Sequence, residues 1–383
     1  MIRQIIYFSR FHNNPSSHGG DKRAAQLCDI LNLLEYDFVS TCDSSFDISA
    51  ELNKLLLSPS GYFQKKRSTH NKNEVTYSKY FLWSEDFRNH LLYLHLQAKC
   101  FVESLKNPPK MLFVDDPVFF APVVLYAKSK GIPLVAFCHN IETLSREQVD
   151  PSTQRELFAY EIELISKCDL VVTISQEETY LLRNFGFDPV YLPYFPSPQT
   201  NRRLEAIREI RDATIKTNYL ILGTVYNMPT LEGMKRVLDT ISTDKAFTDD
   251  SFIVVGYGTE QLSSYLNDPR VEVRGAVPDA ELDDLMAVAK GCIVYQDTGS
   301  GALTKIPELL VAGVPVIINS HAARSYHNLP GIFEFEYFDG LATQMELASN
   351  CNVFKHILTP PDTTALKKRI IDLTPSNPPS PGV

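Results

Sequence analysis

Apolar residues come along this chain in short runs, each followed by a polar or glycine-containing loop and then a stretch of helical spacing. RQIIYFS (3–9) leads through such a loop into DKRAAQLCDILNLL (21–34). KMLFVDD (110–116), PLVAFCHN (133–140), LVVTIS (170–175) and PVYLP (189–193) are further runs rich in Val, Phe and Leu. FFAPVVLYAKSKG (119–131) and STQRELFAYEIELISKC (152–168) show the three- and four-residue periodicity of helices between them. Apolar runs without alternation, separated by helices, predict a parallel sheet buried on both faces. The pattern breaks at PYFPSPQTNRR (193–203), where three prolines and polar residues intervene. It then restarts with NYLILGT (218–224), SFIVVGYG (251–258), VEVRGAV (271–277), CIVYQ (292–296) and VPVIINS (314–320), with helical stretches such as TLEGMKRVLDTIS and DAELDDLMAVAKG between.

This reading predicts an α/β chain of two doubly wound, Rossmann-like domains, 1–198 and 199–373, facing a central cleft. Ligands of such sheets bind beyond the strand C-termini. A polar insertion over about 43–80 interrupts the first domain, and the Pro- and Ser-rich end, 374–383, reads as a disordered tail. The locally basic part of the insertion, 61–80, reads as a solvated loop, with contact to anionic lipid headgroups or an acceptor as the alternative.

Composition narrows the classes. The 383 residues are 44% hydrophobic and 22% charged, which is soluble-globular usage and enough for two cores. A net charge of −9 argues against a general nucleic-acid binder. No apolar run approaches a membrane span and the N-terminus lacks a signal-peptide pattern, so the expectation is cytoplasmic, with peripheral contact at the inner face of a membrane as its extension. The seven cysteines are odd in number, widely spaced and without a CxxC pair, so neither a zinc site nor a disulfide framework is expected.

The chemistry concentrates in YQDTGSGALTKIPELLVAGVPVI (295–317). Gly299, Ser300 and Gly301 lie where a strand gives way to a helix. Glycines there let main-chain N–H groups face an anion, and the helix start adds positive dipole. Lys305 and Glu308 share a helix face: the lysine can neutralise a diphosphate and the carboxylate can take two hydrogen bonds from a ribose diol. A surface ion pair is the other reading of those two residues alone.

These residues, with the Ala312–Pro315 turn after them, resemble the C-terminal half of retaining GT-B glycosyltransferases of family 4. ILGTVYNMPTLEGMKRVL, VVGYGTE and VEVRGAVPDAELDDLMAVAKGCIVYQ resemble the family's donor domain in register. SHGGDKR, GIPLVAFCHNIE and KCDLVVTISQEE match its first domain more loosely. The resemblance implies that Glu308 binds the nucleotide ribose, and that Lys305 with the amides of Gly299, Ser300 and Gly301 holds the diphosphate. Gly256 and Gly258 would lie at the second strand end of the donor domain, and Val277 and Pro278 would border the base. Gly19 and Gly20 would let the first domain approach donor phosphate or acceptor, an ordinary strand–helix turn being the alternative. His139 would contact the transferred sugar; a structural histidine at a strand end is its other reading.

Departures from the family pattern are equally specific. Ser300 stands where many relatives have a glutamate for the donor sugar. The region VYNMPTLEGMK lacks the family's Arg and Lys phosphate clamps, with Glu232 near the lysine's place. ALKKRIIDL is the only late helix available to cross back onto the first domain. The implied activity is metal-independent transfer of a hexose-type sugar, with retention, from a nucleoside-diphosphate sugar to a glycan, lipid-linked or protein-linked acceptor. In the front-face mechanism that the family implies, the leaving phosphate oxygen takes the acceptor's proton, so no cofactor and no protein nucleophile is needed. Asp115–Asp116, a candidate metal pair, reads better as a polar strand end or helix cap. The competing class is a catalytically silent GT-B accessory subunit. A nucleotide-sugar epimerase would need a pair of carboxylates for proton transfer, and none can be placed.

Overall fold

The computed structural model describes residues 5–9, 19–34, 38–40, 109–144, 151–265, 267–351 and 358–373. The insertion at 43–80, its basic stretch at 61–80 and the tail at 374–383 lie outside these residues. The chain divides into two compact units. One runs to Pro193 and resumes at Asp362; the other is Tyr194–Pro361.

In the first unit, strands β1 (Ile5–Phe8), β2 (Phe38–Ser40), β3 (Met111–Val114), β4 (Leu134–Phe137), β5 (Leu170–Thr173) and β6 (Val190–Tyr191) form one sheet in the order β2-β1-β3-β4-β5-β6. Every neighbouring pair is parallel; β1 meets β3 from Ile5↔Met111 to Phe8↔Val114. Helices α1 (Gly19–Asn32), α2 (Ala121–Lys130), α3 (Pro151–Ile165) and α4 (Gln176–Asn184) come between and beside these strands in chain order. Alternate residues of β1, β3 and β4 feed separate cores. Ile6, Phe8, Leu112, Val114, Leu134 and Ala136 enter one layer. Ile5, Tyr7, Met111, Phe113, Val135 and Phe137 enter the other. Each such large side chain contributes about 1.5–3 kcal/mol on burial, which is why these strands are apolar at every position rather than alternating.

The second unit repeats the plan. Helix α5 (Pro198–Ala213) precedes β7 (Asn218–Leu222), α6 (Met228–Thr243), β8 (Phe252–Val255), β9 (Val271–Gly275), α7 (Asp279–Val288) and β10 (Ala289–Val294). α8 (Lys305–Val311), β11 (Val316–Asn319), β12 (Ile332–Phe335) and α9 (Leu341–Ser349) complete it. Its parallel sheet runs β12-β11-β10-β7-β8-β9, so the strand order reverses between β7 and β10.

Two boundaries differ from the sequence reading. The Pro-rich break ends in a helix: Ser197 caps α5 by accepting from the Thr200 N–H, and Pro198 takes the first turn. The late helix α10 (Thr364–Leu373) packs in the first unit, where Leu366 and Ile370 are buried with Leu27 and Leu31. No helix among the described residues is long and apolar enough to cross a membrane.

Candidate functional site

The predicted residues fall on the C-terminal edges of the two sheets, in one group per unit. In the second unit the strand-end loops are tied into a ledge. Gly223 donates to Val255 O at 3.1 Å, and Gly256 donates to Gly275 O at 2.9 Å. Gly256 and Gly258 sit beyond β8, with Gly258 opening a 3-10 turn at Thr259–Ser264. Val277 packs half-buried against the unit's core, and Pro278 leads directly into α7. These two residues therefore keep a packing and turn role whatever lies above them.

Beyond β10 the chain is held before it turns. The Gln296 N–H donates to Asn319 Oδ1 at 3.0 Å, and Asn319 Nδ2 returns a bond to Gln296 O at 2.8 Å. Gln296 Nε2 also donates to Thr230 Oγ1 at 2.9 Å, linking the strand end to the start of α6. The Gly-Ser-Gly loop follows, with φ of 98° at Gly299 and 71° at Gly301, a region that favours glycine. Arg324, buried beyond β11, spreads its guanidinium behind this loop. Nε donates to Gly301 O (2.8 Å) and Nη2 to both Ser300 O (3.1 Å) and Gln296 Oε1 (3.1 Å). Its Nη1 donates to His321 O at 2.9 Å, and His321 Nε2 lies 3.1 Å from Gly299 O.

Helix α8 begins directly at Lys305 and has seven residues. So short a helix has a small macrodipole, and the loop and the lysine are the main positive groups there. Lys305 Nζ donates to Leu222 O at 2.7 Å, which puts the ammonium at the end of β7, where the strand order reverses. Glu308, half-buried one turn on, accepts a 2.8 Å bond from the Tyr194 hydroxyl. Glu232 pairs with Lys235 at 3.0 Å, and Arg236 pairs with Asp297 beside the loop.

His139 belongs to the first unit. Its Nε2 lies 3.8 Å from Asp115 Oδ2, and that carboxylate accepts from the Ser9 hydroxyl, so the ends of β1, β3 and β4 converge there. Asp116 Oδ1 accepts from the N–H groups of Val118 (3.0 Å) and Phe119 (2.9 Å), closing the turn that leads into α2, whose own N-cap is Phe120. The loop after His139 hangs on two buried carboxylates. Glu178 takes the Ile141 N–H at 2.7 Å, while Glu161 takes those of Glu142 (2.9 Å) and Thr143 (3.0 Å). Burial, reinforced by Asp116 and Glu142, pushes the Glu161 carboxyl up to about 8 against the pull of Thr143's hydrogen bonds. Gly19 and Gly20, expected in the loop after β1, open α1 itself.

Arg324, Gln296, Asn319, Thr230 and Tyr194 were not legible as site residues. The arginine sits in HAARSY, which reads as an ordinary surface turn. Tyr194 sits in the segment taken as a break between domains.

Residues 57–197 match the model of Glycosyltransferase Family 4. No curated protein matches the chain in sequence. Among solved structures it is similar to sucrose-phosphate synthase from Thermosynechococcus elongatus, at 13% identity and TM-score 0.59, over 97% of this chain and 95% of that one. WaaG, a glycosyltransferase involved in lipopolysaccharide biosynthesis, aligns at 11% identity and TM-score 0.54 over 90% of each chain. Anabaena HepE, solved with UDP and glucose, aligns at 14% identity and TM-score 0.52, over 97% of this chain and 93% of that one. The chain has the GT-B fold of these glycosyltransferases.

Proposed function

We propose that this GT-B chain is a retaining glycosyltransferase, moving a sugar from a nucleoside-diphosphate sugar to a glycan, lipid-linked or protein-linked acceptor. The observation that carries the reading is that Gly299–Gly301, Lys305 and Glu308 follow β10 while the Lys305 ammonium reaches the end of the neighbouring β7, where the strand order reverses and such sheets bind nucleotides. Lys305 and the loop amides hold the diphosphate, and Glu308, oriented by Tyr194, holds the ribose. Val277 and Pro278 border the base. His139, steadied by Asp115, contacts the transferred sugar, and Gly19 and Gly20 admit donor phosphate or acceptor.

As the glycosidic bond breaks, negative charge grows on the departing diphosphate. Fixed N–H donors and an ammonium stabilise that charge more than they stabilise the bound donor, which lowers the barrier. No metal ion is assigned to the reaction, because the lysine and amides supply the positive potential. The departing oxygen takes the acceptor's proton on the face it leaves, and retention follows.

Calorimetric titration with UDP, GDP and ADP tests this reading, beginning with UDP because a structural relative was solved with it. One nucleotide is expected to bind in the micromolar range, with Lys305→Ala and Glu308→Ala each losing tenfold or more, about 1.4 kcal/mol. Binding by none, or variants that bind like the parent, would favour the silent accessory subunit. Ser300 at the family's glutamate position and Glu232 at its lysine position give that second reading its specific support.

A further inference from the structure

We infer that Arg324 is a positioning residue for the diphosphate loop, replacing from behind the phosphate clamp that this chain lacks in front. The inference rests on the donor-site reading and adds to it a residue outside the family motif. The carbonyls of Gly299, Ser300 and Gly301 all turn to one side, toward His321 and the Arg324 fork. In a trans peptide the next N–H points opposite to the carbonyl. The N–H groups of Ser300, Gly301 and Ala302 are thus turned away from the arginine as a set. Successive amides on one side make an anion-binding concavity, and positive φ at Gly299 and Gly301 is what allows three consecutive carbonyls on the other.

Arginine suits this task by shape as well as charge. Its planar fork reaches Gly301 O, Ser300 O, Gln296 Oε1 and His321 O at once, from three different nitrogens. A lysine brings a compact ammonium with three donors and no fixed plane, so it cannot hold the same set of carbonyls in register. Gln296 and Thr230 extend the support to the first turn of α6, which fixes the loop relative to the Lys305 ammonium at the end of β7. Arg324 touches no substrate in this scheme; it acts by keeping the amides aimed.

The test compares, on the full chain by calorimetry, the nucleoside diphosphate that the parent binds with its monophosphate (UDP with UMP if the base is uracil), for the parent, Arg324→Lys and Arg324→Met. Both nucleotides use the ribose and base contacts, and the ratio of their affinities isolates the loop's grip on the second phosphate. Arg324→Met is expected to cut diphosphate affinity about tenfold, or about 1.4 kcal/mol, with monophosphate affinity within twofold of the parent. Arg324→Lys is expected to fall between, which guards against a methionine variant that folds poorly. Equal losses for diphosphate and monophosphate in both variants would mean a general structural role and overturn the inference, as would an unchanged ratio. A parent that binds none of UDP, GDP and ADP better than the corresponding monophosphate would overturn the donor-site reading itself, and the inference with it.

Discussion

Gly233 lies inside helix α6, where replacing glycine by alanine ordinarily stabilises by about 1 kcal/mol. Here a Cβ would sit well inside van der Waals contact of the Tyr295 carbonyl oxygen, a backbone atom that cannot swing aside. The sign therefore reverses: Gly233→Ala is expected to destabilise by about 2–4 kcal/mol, read as a lower urea midpoint. Tyr194→Phe removes only the hydroxyl that Glu308 accepts from. Nucleotide affinity is expected to fall three- to tenfold, about 0.7–1.4 kcal/mol, with the urea midpoint close to the parent's. The Gly-Ser-Gly loop, Lys305 and Glu308 were legible because their chemistry is local, within one strand–loop–helix. Tyr194 and Arg324 were not, since they reach the site across 114 and 23 or more positions of chain. Nothing in their own neighbourhoods marks the encounter.

Strands buried on both faces were the most readable elements, since β1, β3, β4, β5 and β8 are buried at every position. The edge strands β2 and β12 are absent from the sequence reading: β2 has only three residues, and β12 is half-buried over its first three positions, so it lacks the continuous apolar run of the central strands. Helix α5 was hidden by its own start, because proline reads as a break unless the preceding serine is taken as a cap. The loop between β4 and α3 carries a pH dependence. Glu161 titrates at 4.5 in an unfolded chain and at about 8 when buried. Across that window the folded chain keeps a proton that the unfolded chain has lost, so stability falls as pH rises. Glu161→Gln cannot titrate and is expected to flatten this slope. Urea midpoints of parent and variant, measured at both ends of the window, check it; parallel midpoints would contradict it.

The chain leaves the first unit at Pro193 and returns to it with α10. Ile370 and Leu366 are buried in the core layer that also holds α1, and Arg369 pairs with Asp188 at 3.1 Å. Ile370→Ala is expected to cost about 2–5 kcal/mol by loss of burial and the cavity left behind. In calorimetry of the whole chain the loss is expected as a lower transition temperature; a transition unmoved from the parent's would refute the burial of α10 in that core. The order of manufacture follows from the same return. A ribosome works from the N-terminus, and domains commonly fold as they emerge. The second unit is one continuous stretch and has all its parts once Pro361 is clear. The first unit, begun earlier, waits with the surface around Leu27 and Leu31 uncovered until Ile370 arrives. Of the two units, the one begun earlier is thus completed later, and the newborn chain must stay soluble through that interval.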